Sequence, residues 1–403
     1  MRRRPSPSQL LWPINRQAAV QEWFRATLAF SSFGSGLGSG MRSNIIALAA
    51  LAVLIGVRPV SATPPPPMPP MPPENRTVLA TPEPNLTSTG DVRVDAYRDR
   101  LLADPTNAAW RPYLIRLFAG INADPAIVRE FDRLAGIDTP SEYVRYYVTP
   151  ERIHRGRQLF RQGVGKAKPG EMPAELRLAL WGMLSDYGAR RPSHDALQAL
   201  LVLSAYDRGG ASHEFQLHHA AIKVLSGDVP RARLKAFATG KLGQTHTPSA
   251  RFPDWARDGD GDGRIDIWTN RADILATISG TSWQGYAGVP VAVAVREPAF
   301  NPGNRREARM LAALNASPNV PPAILRRWDG RPWKPEEIGE GGTYIKPWVK
   351  GGPAFIMLRP AWPVNSRNPV LPMYAGTDVD MGFALAASLL ADAIAGRQLP
   401  AVR

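Results

Sequence analysis

The sequence predicts a mainly α-helical protein with a smaller, β- and loop-rich C-terminal part. Three observations carry this expectation. Apolar residues recur at helical spacing through most of 92–226. A second strong helical stripe closes the chain at 378–395. Between them, about 304–372 is rich in Pro, Gly and Trp and shows few clean periods. The 40 Pro and 35 Gly are too many for a simple helical bundle, whereas a hydrophobic content of 44% is too high for disorder.

Residues 1–40 have no periodic pattern and end in a Gly-rich run from Gly34 to Gly40. No strand precedes those glycines and no Lys-Ser/Thr follows, so they read as an upstream leader rather than a phosphate loop. Met41 opens a different order: Arg42, an apolar run from Ile45 to Val57, then Ser61-Ala62. Charged, apolar and small residues in that sequence describe a secretory signal over 41–62. The apolar run is shorter than the roughly 20 residues that span a bilayer. Left uncleaved, the signal would tether the chain to the inner membrane. Cleavage after Ala62 would leave 341 residues, and because 1–62 hold seven Arg against one acid, the net charge would fall from +14 to +8. Residues 63–89 form a Pro-rich linker, in which the run Pro64–Pro73 favours an extended polyproline spacer.

The main domain is expected over 90–300, and 301–398 completes the same fold. Candidate helices cover 92–103, 108–120, 125–135, 150–162, 173–187, 194–206 and 211–226. In 173–187, Leu176, Leu180, Met183, Leu184 and Tyr187 form one stripe behind a first-turn Pro173, and Gly188 is the stop. The helix at 378–395 has Thr377 as its cap, Asp380 three residues on, and Gly396 at its end. Short strands are expected around 343–349 and 354–358.

The absence of cysteine excludes disulfides, thiolate metal sites, Cys nucleophiles and a lipobox-type anchor. A charge of +14 suits an anionic partner. The arginines are scattered, with no helix-turn-helix or RNA-binding signature, so nucleic acid is not the expected one. An anionic wall or membrane surface is.

The sharpest motif is Asp258-Gly259-Asp260-Gly261-Asp262-Gly263-Arg264-Ile265-Asp266. Carboxylates at positions 1, 3 and 5, Gly at 6 and a backbone carbonyl at 7 describe a calcium loop, because a hard cation needs several converging oxygens. Position 12 is Thr269 rather than Glu, and Asp273 is the expected substitute ligand. The expected set is therefore Asp258, Asp260, Asp262, the Arg264 carbonyl and Asp273, holding a structural Ca2+. His213 and His218 look like a zinc pair but are five residues apart. That places them about 140° apart around a helix, against about 40° for a chelating pair four apart. Packing histidines are expected there.

Several segments in order resemble the B-type membrane-bound lytic murein transglycosylases, lysozyme-like enzymes acting on peptidoglycan. They are Tyr143 with Val148 and Arg152-Ile153-His154-Arg155-Gly156-Arg157, then Leu180-Trp181-Gly182-Met183 and Leu203-Ser204-Ala205-Tyr206-Asp207. Gly240-Lys241-Leu242-Gly243-Gln244-Thr245, the calcium loop with Asp266-Ile267-Trp268, Gly352-Pro353-Ala354-Phe355 and Leu389-Leu390-Ala391-Asp392 complete the set. The resemblance implies a lysozyme-like α lobe with the calcium loop as an insertion. It also implies a periplasmic or envelope location, with glycan strands as partner. In the family one Glu acts first as acid and then as base, and the muramic C6 hydroxyl attacks to give a 1,6-anhydro product.

That Glu position is Leu184 here, and a leucine moves no proton; general acid–base catalysis is worth about 10²–10⁴ in rate. The family's Gln falls on His246 with Thr247 replacing an aromatic, its Ser falls near Phe237, and an expected Asn-Tyr pair between Asp273 and Trp283 is missing. The Tyr-Asn-x-Ser element reads Tyr374-Ala375-Gly376-Thr377. The leading expectation is an impaired or inactive member of the family. An active enzyme using Asp186 or Asp207 is one alternative, although continued helix would put Asp186 about 200° around from position 184. A binding or scaffolding module stacking glycan on Tyr143, Tyr206 and Tyr374 is another.

Overall fold

Helices form where an apolar stripe coincides with a start signal. The computed structural model describes residues 82–137, 139–166, 172–208, 211–280 and 292–296, parts of 304–345, and residues 354–358 and 378–397. The leader, the signal, most of the Pro-rich linker, Tyr374, Thr377 and 346–349 lie outside the described residues. Helix α1 (Val92–Ala103) starts at Asp91, whose side chain accepts from the Arg93 and Val94 amides. It is followed by α2 (Arg111–Phe118) and α3 (Pro125–Ala135). The sequence periodicity gave no sign of α4 (Pro140–Tyr147). It is nucleated by a full capping box, in which Thr139 Oγ1 accepts from the Glu142 amide and the Glu142 carboxylate accepts from the Thr139 amide. Then come α5 (Pro150–Arg161), α6 (Ala174–Ser185), α7 (Ala196–Ala205) and α8 (Ala211–Leu225). The last three are the one-turn α9 (Phe252–Trp255), α10 (Arg271–Ser279) and α11 (Asp378–Ile394).

Two small antiparallel sheets accompany the helices. Strands β1 (His194–Asp195) and β2 (Lys235–Ala236) form one. The other contains β3 (Ala292–Arg296), β4 (Asn319–Val320), β5 (Arg326–Arg327), β6 (Gly342–Ile345) and β7 (Ala354–Leu358) in the order β4-β6-β7-β3-β5. β7 falls where the sequence suggested it. β3, which was not anticipated, pairs with it.

All of this belongs to the unit 64–403, whose interior holds two hydrophobic clusters. One unites α4, α6, α11, β3 and β7 through residues such as Leu180, Met183, Leu385, Leu389 and Phe355. The other unites α1, α2, α7 and α8 through Leu101, Phe118, Leu200 and Leu217, and also takes in Ile267 and Trp268 beside the acidic loop. Every residue of α6 from Leu176 to Ser185 is buried, so this helix is central and not merely striped on one face.

α6 ends two residues before the expected Tyr187. Asp186 (φ 53), Tyr187 (φ 54) and Gly188 (φ 83) are all left-handed and reverse the chain. Left-handed non-Gly residues cost about 1–3 kcal/mol each and persist only where surrounding contacts hold them. Here the Tyr187 ring supplies those contacts. It lies in a notch made by two glycines: a Cβ on Gly182 would come within 2.5 Å of Tyr187 Cζ, and one on Gly156 within 2.5 Å of its Oη. Tyr187 Oη also donates to the Arg152 carbonyl at 2.9 Å.

Candidate functional site at the end of α6

A buried amide joins three segments at this point. Gln244, 5% exposed, accepts from Trp181 Nε1 at 2.9 Å and from Ser185 Oγ at 3.2 Å. Its Nε2 donates to the Trp268 carbonyl at 2.7 Å, and its backbone amide to the Ile267 carbonyl at 2.9 Å. The helix bearing position 184, the 240–247 loop and the exit of the acidic loop are thus locked by one side chain whose polar atoms are all used.

Leu184 is 7% exposed and belongs to the α6–α11 cluster, with Tyr143, Met183 and Tyr187. A ring hydrogen bond from His246 reaches its backbone. The His246 ring lies 4.3 Å from that of Phe237, and the Arg190 guanidinium sits over the Phe237 ring at 5.6 Å. Burial pushes the His246 imidazole down to about 3, and the Lys241 and Arg190 charges push the same way. The ring is therefore neutral, and its buried Nε2 has no hydrogen-bond partner among the described residues. The positions to which the resemblance assigns Glu, Gln and Ser thus hold an aliphatic side chain and an imidazole–phenyl stack. A neutral imidazole of this kind cannot serve as the acid.

Asp186 is not where continued helix would put it. Because residue 186 is left-handed, the helical angle from 184 does not apply, and its carboxylate turns towards Arg152 at 3.5 Å. Arg152 is itself fixed, donating to the carbonyls of Gly182, Tyr146 and Tyr147 at 3.1, 2.7 and 3.2 Å. Asp186 also opens onto a pocket of about 490 Å³ beyond α6. Asp207, again left-handed, follows α7 and does not line that pocket.

Two of the three tyrosines expected to form an aromatic platform are described, and they pack against different clusters. Tyr143 is buried in the α6–α11 cluster, stacked on Tyr147 at 5.9 Å and edge-on to Phe383 at 6.4 Å. Tyr206 packs on the other cluster, donates to Asp91 at 2.5 Å and lies under Arg93. Tyr374 lies outside the described residues. The two described tyrosines therefore serve different cores.

The acidic loop has the expected geometry at three of its positions. One carboxylate oxygen each from Asp258, Asp260 and Asp262 lies within 4.8 Å of the others. Asp258 accepts from the Gly261 and Gly263 amides and Asp262 from the Arg264 amide, which curls the backbone around the cluster. Such hard oxygen donors suit calcium. Asp273 does something other than join them. Fully buried in α10, it accepts from the Gly259 amide at 2.7 Å and the Asp266 amide at 2.6 Å, clamping both ends of the loop. His213 and His218 do not converge. His213 faces the Arg208 and Thr239 carbonyls, and His218 is buried apart from it.

Sequence reasoning missed Arg152 and Gln244 as anchors, although both stood inside quoted motifs. Nothing in their local pattern distinguishes a surface cation or amide from a buried one.

The comparisons with known proteins bear on this geometry. A family model described as a transglycosylase SLT domain matches residues 105–361, more than half of the chain. The chain belongs to that family. SltB3 from Pseudomonas aeruginosa, solved in complex with NAG-NAM-pentapeptide, is 28% identical, with a TM-score of 0.57 over 77% of this chain and 81% of that one. Slt35 of Escherichia coli, solved with calcium, is 18% identical, with a TM-score of 0.51 over 76% of this chain and 93% of its own. SltB1 from Pseudomonas aeruginosa is also 18% identical, at 0.53, over 75% and 98% respectively. No curated protein sequence matches. The mainly helical lytic transglycosylase fold and the B-type resemblance both hold for this SLT domain.

Proposed function

We propose that this SLT domain is an exported envelope protein that engages peptidoglycan glycan strands and is impaired in, or lacks, their cleavage. The observation that carries the reading is Leu184: it is buried, at the position that the resemblance gives to the family's Glu, with the neutral His246 stacked on Phe237 behind it. Proton transfer to the leaving oxygen has no donor there. The likeness to SltB3, crystallised with a NAG-NAM-pentapeptide fragment, supports glycan strands bearing peptides as the partner.

Incubation of purified protein with murein sacculi, followed by analysis for anhydromuropeptides, tests the reading. Little or no product is expected, and abundant product would overturn it. Leu184→Glu, which returns a carboxylate to the buried end of α6, is expected to gain product if the remaining cleft still holds the glycan. A second reading keeps activity with Asp186 as acid, favoured by its place on the pocket beyond α6. Loss of turnover in Asp186→Asn from an active wild type would support it.

The acidic loop is assigned a structural calcium held by Asp258, Asp260, Asp262 and the Arg264 carbonyl, with Asp273 as clamp. When bound, the ion would neutralise three crowded carboxylates and stiffen a loop that has little core of its own. Terbium luminescence displaced by calcium, together with a calcium-dependent rise in melting temperature, is the expected signature.

A further inference from the structure

We propose that the pocket beyond α6 binds a peptide carrying both a free carboxylate and a free ammonium group. At about 490 Å³ it is in the size range of ligand sites. Its walls alternate in charge: guanidinium groups come from Arg133, Arg152 and Arg190, and carboxylates from Glu130, Glu151 and Asp186. A ligand of one sign would be attracted by half of this lining and repelled by the other half. A zwitterion complements both halves.

Internal pairing does not use these charges up. Arg152 and Asp186 are 3.5 Å apart, and Arg190 and Glu130 are 3.7 Å apart. Both separations exceed the 2.7–2.9 Å of a charge-assisted hydrogen bond. Pairs elsewhere close to 2.7 Å for Arg208 with Asp132 and 2.6 Å for Arg397 with Asp392. Glu130, Arg190 and Asp186 are each about one-third exposed, so a ligand can reach them. Arg152 is held in place by three backbone carbonyls, so little of its freedom is left to lose on binding.

The pocket favours a peptide over a sugar. Its one aromatic, Tyr146, has the Arg133 and Arg152 guanidinium groups near its ring at 5.9 and 6.0 Å and sits edge-on to Tyr147 at 4.8 Å. A pyranose stacking on that ring would have to compete with these guanidinium groups, whereas a peptide can use them as ion-pair partners. The inference rests on the peptidoglycan reading only for the source of the peptide, which is either the stem attached to a glycan strand or a soluble peptide.

Titration calorimetry with an N-acetylated pentapeptide bearing a free diamino-acid side chain, against the same peptide with that side-chain amine acetylated or the C-terminus amidated, is the test. The peptide with both free groups is expected to bind, and blocking either group is expected to weaken it about tenfold or more, the scale of one charged hydrogen bond. Arg190→Ala and Glu151→Gln should each give a similar loss. Glu151 is exposed in the first turn of α5, so its variant keeps the fold even if Arg190→Ala does not. Equal binding of blocked and free peptides, or no binding at millimolar concentration, would overturn the proposal. Retention on intact sacculi but not on amidase-stripped glycan identifies the stem as the source. Equal retention on both, with the free peptide bound, points to a soluble one. Retention on both without peptide binding sinks this proposal and spares the peptidoglycan reading; peptide binding without any retention does the reverse.

Discussion

Replacing Gln244 with alanine should be among the most damaging single changes in this domain. The substitution leaves the Trp181 indole N–H without its acceptor and the Trp268 carbonyl without the donor it takes from Gln244. Ser185 Oγ suffers less, because it also donates to the Trp181 carbonyl at 3.3 Å. Each newly unsatisfied buried group costs about 1–3 kcal/mol, so the two together cost about 2–6 kcal/mol. That is a large share of the roughly 5–15 kcal/mol by which a domain is stable. Urea unfolding followed by tryptophan fluorescence measures it, with the slope expected to stay unchanged while the midpoint falls. Amide exchange should quicken in 240–247 and at the end of α6 together, since one side chain ties them. A loss under about 1 kcal/mol, the scale of an ordinary hydrogen bond, would refute the idea that this amide locks the three segments.

Three further outcomes are expected. Gly182→Ala puts a Cβ 2.5 Å from Tyr187 Cζ and must dislodge that ring, costing about 1–3 kcal/mol as overpacking does; a melting temperature equal to wild type would count against the notch. Asp273→Asn keeps the shape but offers one acceptor oxygen to two backbone amides, so loop stability and terbium affinity should both fall, by about 1.5–3 kcal/mol in stability, read from calcium-dependent unfolding. The third concerns Asp392, whose carboxyl burial pushes up to about 6 despite the ion pair with Arg397, which favours the charge on both partners. With a folded value above the unfolded 3.8, the native state holds the extra proton between these limits. This group's contribution is therefore full at acid pH and declines as pH rises from about 4 to 6, by about 2–3 kcal/mol. Asp392→Asn should flatten that part of a stability–pH profile, and an unchanged slope would refute the assignment.

Most helices were legible because each carried its own signals. Asp91 before Val92, Pro125 behind Asp124 and Gly396 after Ile394 mark ends that local chemistry determines. α4 escaped although Thr139 and Glu142 spelled out its capping box, because its tyrosine-rich eight residues give no clean stripe. β3 escaped because strand pairing with β7 is a tertiary event, invisible in five residues. That Leu184 moves no proton was plain from the sequence, since identity alone decides whether a side chain can carry one. The placement of Asp186 was not: it depends on three left-handed residues whose stability comes from Gly156, thirty residues upstream. Asp273 looked like a ligand because carboxylate spacing does not reveal whether its oxygens already hold amides. The charged pocket was the least legible of all, for its lining comes from three separate stretches of chain.

The tyrosine seated between Gly156 and Gly182 has a wider meaning. Its ring and hydroxyl hold the path of the chain beyond α6 through Gly156, Gly182 and the Arg152 carbonyl, none of which is the side chain at 184. On the function proposed above, what stands at 184 then sets the chemistry of that point more than the turn that follows it. Leu184→Glu therefore asks two separate questions, one of folding and one of turnover, and the glycine notch is what keeps them apart.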